Sequence, residues 1–511
     1  MPAVSEVFIP ASLFDANNAT IPWVYPSEIV EFAQRLRLRG IQVDETQGNG
    51  LPPDAQMHDR AATIPAVVVS PRGEWGIVQA LKAMKDLDLY NKMPVSVKSG
   101  GHGYFNGATC AGIMLNLVHM TDSRVDGDVL TLGPGCVLGQ TIDILARHGK
   151  AVPHGDCYGV GAGGHFTTAG WDLLLTRRYG IGCQSVVGGR VVLWDGTVLD
   201  VDESSHPELL YAMRGGAAAG VGVVSEIRLR VMDEPARATW RLTPLTKAQL
   251  QQCVASRVFS RAVSLPEDVT VSFRFFFEPH QEEPVCSFNI FSLLTVAETI
   301  KHLHQHLGAE AASLVDDAAL WNERKLLDLR LLPASSMLSA DPGMLSELSS
   351  TRLHDSPHLF WNRGMVQREM GSSFLETSSH WVRTDCEAML PEVYARLEAV
   401  KHSPMRERMY VFLVLGGGES LRRQRDCAMP LGRALARFEL HWDHEQDADE
   451  CRTFAGTVSD VLRSQEDAGV DRPFRGDIWR QDQAYSEHDC LHAISRRFDR
   501  RRGRGPRDMR L

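Results

Sequence analysis

Lys98-Ser99-Gly100-Gly101-His102-Gly103 closes one strand-like run, and Gly155-Asp156-Cys157-Tyr158-Gly159-Val160-Gly161-Ala162-Gly163-Gly164-His165 follows a turn later in the chain. The reading of the fold turns on these two stretches. Pro94-Val95-Ser96-Val97 precedes the first, a short β-branched run leading straight into the glycines. Glycine admits positive φ and lets backbone N–H groups approach an anion such as a pyrophosphate. The plainer alternative is a pair of tight turns between strands, and either run alone leaves that choice open. Neither is a P-loop, because no Gly-Lys-Ser/Thr ending follows, and the first does not fit the strand–glycine–helix unit of a Rossmann fingerprint.

Outward from these runs the pattern is regular. Ala66-Val67-Val68-Val69, stopped by Ser70-Pro71, reads as a buried strand. From Glu74 to Leu89, Ile77, Ala80, Leu81, Met84 and Leu87 recur at helical spacing. Further strands are predicted at 113–117, 129–132 and 191–194, the last turning at Asp195-Gly196 into 197–201, and a helix at 138–147. Glycine is dense from Gly100 to Gly222 and sparse from there to Arg363, so a domain boundary is placed near residue 235. Beyond it come an aromatic strand at 269–278, a glycine-free helix at 387–400 and a strand at 409–415.

Composition excludes several classes. The 511 residues are 43% hydrophobic and 23% charged with a net charge of −10, which suits a globular protein with a sizeable core and argues against a nucleic-acid partner. The one basic cluster, Arg496 to Arg510, reads as a solvated terminus. No apolar stretch has bilayer-spanning length and the first residues lack a signal-peptide pattern, so a soluble, cytoplasmic protein with no membrane partner is expected. The ten cysteines are scattered, with no CxxC pair and no His/Cys cluster at metal-ligand spacing. No metal is expected.

Taken in order, the two glycine runs, then Arg178-Tyr179-Gly180, Arg214-Gly215-Gly216 and Gly222-Val223-Val224, resemble the FAD-linked oxidases of the vanillyl-alcohol oxidase superfamily. The likeness is to the branch with a PCMH-type FAD-binding domain that contains berberine bridge enzyme and the oligosaccharide oxidases. It is strong over about 62–235, weaker to about 445 and slight at the C-terminus. The resemblance implies a two-domain α+β fold: an FAD-binding domain over 1–235, and over 236–446 an antiparallel-sheet substrate domain covered by helices. It also implies a segment, 447–511, that returns to the first domain. FAD is then expected to be covalent, through His102 to the flavin 8α-methyl carbon and Cys157 to flavin C6. Lys98, Ser99, Gly100, Gly101, Gly103, Tyr104, Gly161, Gly163, Gly164, His165, Thr168, Gly222 and Val224 complete the implied cofactor site. The residue types suit the chemistry, since an imidazole nitrogen and a thiolate both attack an electron-poor ring. Departures are Lys98 where an arginine is common, Ala217-Ala218-Ala219 in place of glycines, and bulky Trp171 in place of a glycine.

On the substrate side, residues 436–443 alternate so that Arg437, Glu439, His441 and Asp443 share one face of a strand. In the family this face roofs the flavin, which makes Glu439 and His441 candidates for a general base; the bland alternative is a solvated outer face. Burial is expected to raise a carboxylate's pKa and lower a histidine's. Tyr485, in the tail, is a further candidate. The expected reaction is oxidation of a small organic molecule (an alcohol, an amine, or a substrate of C–C or C–O bond formation) by hydride transfer to the flavin. O2 is the expected acceptor and secondary-metabolite biosynthesis the expected setting. Two rivals are a carbohydrate oxidase of the same fold, which should carry an export signal, and a non-catalytic flavin-fold ligand-binding protein. The presence of both His102 and Cys157 speaks against the second.

Overall fold

The computed structural model describes residues 27–46, 50–103, 107–278, 281–330, 373–470 and 489–498. Val67–Ser70, buried throughout, pairs in parallel with Ile113–Asn116, which pairs in parallel with Val95–Lys98. Gln42–Glu45 adds an antiparallel edge. Between the first and last of the parallel strands runs the helix Glu74–Asp86, which buries Ile77, Ala80, Leu81 and Met84. Parallel pairing aligns the C-terminal ends of these strands, so the glycine run after Lys98 leaves the sheet beside Asn116.

A second, antiparallel sheet has five strands in the order Ser123–Asp126, Val129–Leu132, Gly222–Arg230, Val186–Leu193 and Val198–Asp202. Val192 faces Val198 across the turn at Gly196, whose φ of +83° explains the glycine. Leu130, Leu132, Val191, Leu193, Ile227 and Leu229 form a core with Leu138 and Leu145 of the helix Leu138–Arg147.

A third sheet has seven antiparallel strands, ordered Asn322–Arg324, Ala238–Leu245, Val285–Ser292, Val269–Phe276, Met409–Leu415, Ala434–Trp442 and Phe374–Val382. Its two faces differ sharply. Phe273, Phe275, Phe288, Ile290, Leu413, Phe438 and Leu440 lie on one face, under the helices Lys247–Ala255, Val296–Leu307, Met389–Ala399 and Ala448–Arg463. Each such large side chain contributes about 1.5–3 kcal/mol by burial. The opposite face carries Arg437 beside Phe412 and Ser379, and Glu439 beside Tyr410 and Thr377. The chain is therefore a two-domain α+β protein whose antiparallel sheet is covered by helices on one side among the described residues.

One expectation about the tail needs restating. The helix Ala448–Arg463 stays with the seven-stranded sheet, burying Phe454, Val458 and Leu462 in its core, so 447 is too early a start for a returning segment. In the helix Asp489–Phe498, Leu491, Ile494 and Phe498 share a core with Leu209, Met213 and Ala218. Tyr485 and Tyr104 lie outside the described residues. Among the described residues, no helix is long and apolar enough to cross a membrane.

Candidate functional site

The two glycine runs meet backbone to backbone. A Cβ on Gly100 would sit 2.3 Å from the Gly161 nitrogen, and one on Gly161 would sit 2.1 Å from the Gly100 nitrogen. Ser99 joins them further: its hydroxyl accepts from the Gly163 N–H at 3.2 Å and donates to the Pro134 carbonyl. Close approach is thus the main reason for these glycines. Positive φ is needed only at Gly101 (+74°) in the first run, and the second run has none. Gly161 opens the short helix Ala162–Thr168, where the Gly164 carbonyl accepts from Thr168 Oγ1 at 2.8 Å. That helix packs on the strand that carries Gly222 and Val224.

Lys98 does not fit the role expected of it. An atom that contacts a ligand must be accessible when the ligand is absent, and Lys98 is 2% exposed. Its ammonium lies under the turn, 3.3 Å from Asn116 Oδ1 and 3.4 Å from the Ser99 carbonyl. Burial pushes its pKa down to about 8. It supports the loop from behind.

His102 stands on the open side of that loop, half-buried, with its ring stacked on His58 at 4.0 Å and 16°. His58 in turn meets His441 edge-on at 5.8 Å and 89°. Loss of hydration, reinforced by His102 and His441, pushes the His58 pKa down to about 2. His165 accepts from the Gly155 N–H at 3.1 Å, and burial, followed by the neighbouring His102, pushes its pKa down to about 3. The loop bearing Cys157 is therefore fastened to a histidine that lies within electrostatic reach of His102. Cys157 is exposed, whereas the eight other cysteines whose burial is described are buried.

Arg330 braces the same loop from the second domain. It pairs with Asp172, donates to the His154 carbonyl at 3.2 Å and lies 3.9 Å from Asp156. Asp172 also accepts from the His154, Leu174 and Leu175 N–H groups, at 3.1, 2.8 and 2.8 Å. Bulky Trp171 finds its room across the domain seam. It packs on Trp381, and Gly416 leaves the space its ring needs, since a Cβ there would lie 2.7 Å from the indole.

The row on the strand Ala434–Trp442 is tightly paired. Glu439, 7% exposed, accepts from Arg437 at 2.6 Å and bonds His441 Nε2 at 2.8 Å. His441 Nδ1 meets the Ser373 hydroxyl at 3.0 Å. Asp443 lies past the strand end and pairs with Arg408. Burial works to raise the Glu439 pKa, but the Arg437 charge and the His441 bond together hold it well below the usual carboxylate range. This corrects the expectation that desolvation would raise it. Arg274, exposed on the same face, lies over the Phe276 and Tyr410 rings at 5.4 and 5.2 Å.

The structure thus brings Ser99, Gly100, Gly161 and Gly163 together, with His102 near His165, and carries His441 and Glu439 to the His102 side through His58. Sequence reasoning missed His58, Ser373 and Arg330. His58-Asp59-Arg60 does stand just ahead of the first parallel strand, but nothing local marks it as part of a site. The donor set fits FAD: an accessible thiol and a half-buried imidazole stand on two loops locked at Gly100 and Gly161.

Comparison with known proteins agrees with that fit. Residues 65–202 match the family described as FAD binding domain. The FAD-linked oxidoreductase sorD of Penicillium rubens is 33% identical over 177 residues, 34% of this chain and 36% of that protein. Glucooligosaccharide oxidase of Sarocladium strictum is 32% identical over 176 residues, 34% of each chain. The chain thus spans about a third of the length of these relatives. Among solved structures, Physcomitrella patens BBE-like 1 superposes with a TM-score of 0.69 at 16% identity, over 90% of this chain and 97% of that one. Phl p 4, a grass pollen allergen with glucose dehydrogenase activity, gives 0.74 at 14% identity, over 92% and 97%.

Proposed function

We propose that this chain, whose residues 65–202 are an FAD binding domain of the vanillyl-alcohol oxidase superfamily in its berberine bridge enzyme-like and oligosaccharide oxidase branch, oxidises a small organic molecule between the glycine loops and the seven-stranded sheet. The observation that carries this reading is the unbroken contact from His102 through His58 to His441 and the Glu439–Arg437 pair. His102 and Cys157 hold FAD covalently, and Gly100, Gly161 and Gly163 set the loops that present them. When bound, FAD would supply the hydride acceptor and the route for electrons to O2.

Within the row, His441 is the better base. Glu439 is held ionised by two partners, which suits it to steady an imidazolium rather than to take the proton itself. Ser373 and Glu439 orient the ring from Nδ1 and Nε2. Ser373 is 1% exposed, so the Ser–His–Glu alignment is no hydrolase triad. Arg274 and the Tyr410 and Phe412 rings, stacked at 13°, offer the substrate a cation and aromatic faces.

Alcohols and amines of secondary metabolism are the substrates we favour. Carbohydrate oxidation is the second reading, supported by the Tyr410–Phe412 surface and by relatives named for oligosaccharides. The test is peroxide release from the purified protein across aromatic alcohols, amines and oligosaccharides. Turnover of the first two groups supports the leading reading, turnover of sugars alone supports the second, and peroxide from none points to a ligand-binding protein. The proposed cytoplasmic location is checked by cell fractionation.

A further inference from the structure

His58 is buried between two rings that the reaction needs, and nothing in the proposed chemistry uses it. It comes from the turn before the first parallel strand, and its N–H donates to the Gly101 carbonyl at 2.8 Å, so its backbone is fixed to the His102 loop. Its neighbours are fixed to the other domain: Asp59 bridges Ser373, the Arg60 N–H donates to the Ser373 carbonyl at 3.0 Å, and Arg60 Nη1 reaches the Asp443 carbonyl at 3.0 Å. Held at both ends, the His58 ring covers one face of His102 at van der Waals distance and nearly parallel. It thereby restricts the torsion that would swing the His102 nitrogens away from a flavin edge. Because burial holds it neutral at any working pH, the stack it offers does not change with protonation.

We infer that His58 is a positioning residue for flavin attachment, presenting the His102 ring in the plane from which its nitrogen bonds the flavin methyl carbon. This rests on the covalent reading proposed above. In that step an N–C bond forms, the imidazole N–H and one methyl C–H are lost, and the two electrons and two protons pass to the flavin and then to O2 as peroxide. His58 takes no part in that balance. Its contribution is geometric, and misplacement of a reacting atom by about 1 Å can cost about a hundredfold in rate.

The test uses full-length protein with Cys157→Ala, so that only the His102 link remains, and reads the fraction of FAD retained on the polypeptide after acid precipitation during incubation with added FAD. We expect Cys157→Ala to attach FAD, Cys157→Ala/His58→Ala to attach it at least about tenfold more slowly, and Cys157→Ala/His58→Phe, which restores a flat ring, to recover most of the rate. His58→Asn in the same background serves if the alanine variant does not fold, and should be as slow. Equal attachment rates with and without a ring at position 58 overturn the positioning role while leaving the covalent reading standing. Complete release of FAD from Cys157→Ala itself overturns attachment at His102 and the role of His58 with it.

Discussion

The glycine loops and the polar row of the sheet are joined through His58 but are built in opposite ways. At Gly100 and Gly161 the backbone is the structure, and the specification is the absence of a side chain. Along Arg437, Glu439 and His441 the side chains are the structure, and their backbone is an ordinary strand. A site fixed by backbone contact tolerates almost no change of shape. A site fixed by charge pairing keeps its shape while its chemistry is tuned. The first arrangement suits a cofactor held in one place, the second a group that must take and return a proton.

The comparison breaks most visibly at the sheet. His441→Gln should slow anaerobic flavin reduction by about 10²- to 10⁴-fold with the flavin spectrum intact. Glu439→Gln should slow it less, because the base remains and loses only its partner. Equal rates in both variants and the unmutated protein would place the base elsewhere. On the loop side the loss is of fold, not rate: Gly161→Ala should cost about 3 kcal/mol in urea unfolding and weaken FAD retention, since the added methyl meets backbone and the Ser99 hydroxyl. Gly456→Ala is the control, in the helix Ala448–Arg463 with nothing within 4 Å. It should raise stability by up to about 1 kcal/mol.

Acid sharpens the contrast. His58 and His165 stay neutral in the folded protein to about pH 2 and 3, whereas unfolded histidines take up protons from about pH 6.5 downward. Stability should therefore fall as pH drops below about 6.5, by at most about 1.4 kcal/mol per pH unit for each histidine. Replacing His58 with Phe should flatten that slope, and an unchanged slope would show that His58 is hydrated. The smallest effect is at Ala217, Ala218 and Ala219, whose φ values of +46°, +54° and +54° place alanines in left-handed backbone. Ala219→Gly should stabilise the protein by about 1 kcal/mol, measured as a rise in the midpoint of thermal unfolding.

What the sequence revealed follows the same division. The strand and helix between residues 66 and 89 and the loops at 99–103 and 155–164 were legible, because periodicity and glycine spacing are local. The purpose of the glycines was only half legible: one-dimensional spacing gives no hint that Gly100 meets Gly161. His58 was invisible, since its meaning comes from His102 and His441, both distant in the chain. Glu439 is the instructive error. The strand left open whether it is buried or solvated, and its partners at positions 437 and 441 were in view two residues away on the same face. Two charge-assisted bonds outweighed desolvation, a balance that alternation alone does not weigh.

The most direct test of the central claim, that two loops present two nucleophiles to one flavin, is the mass of the intact, acid-precipitated and washed protein followed by peptide mapping. The account predicts a yellow pellet, one FAD mass added to the chain, and that mass linking the peptide containing His102 to the peptide containing Cys157. A colourless pellet of unmodified mass, with all FAD in the supernatant, would contradict it.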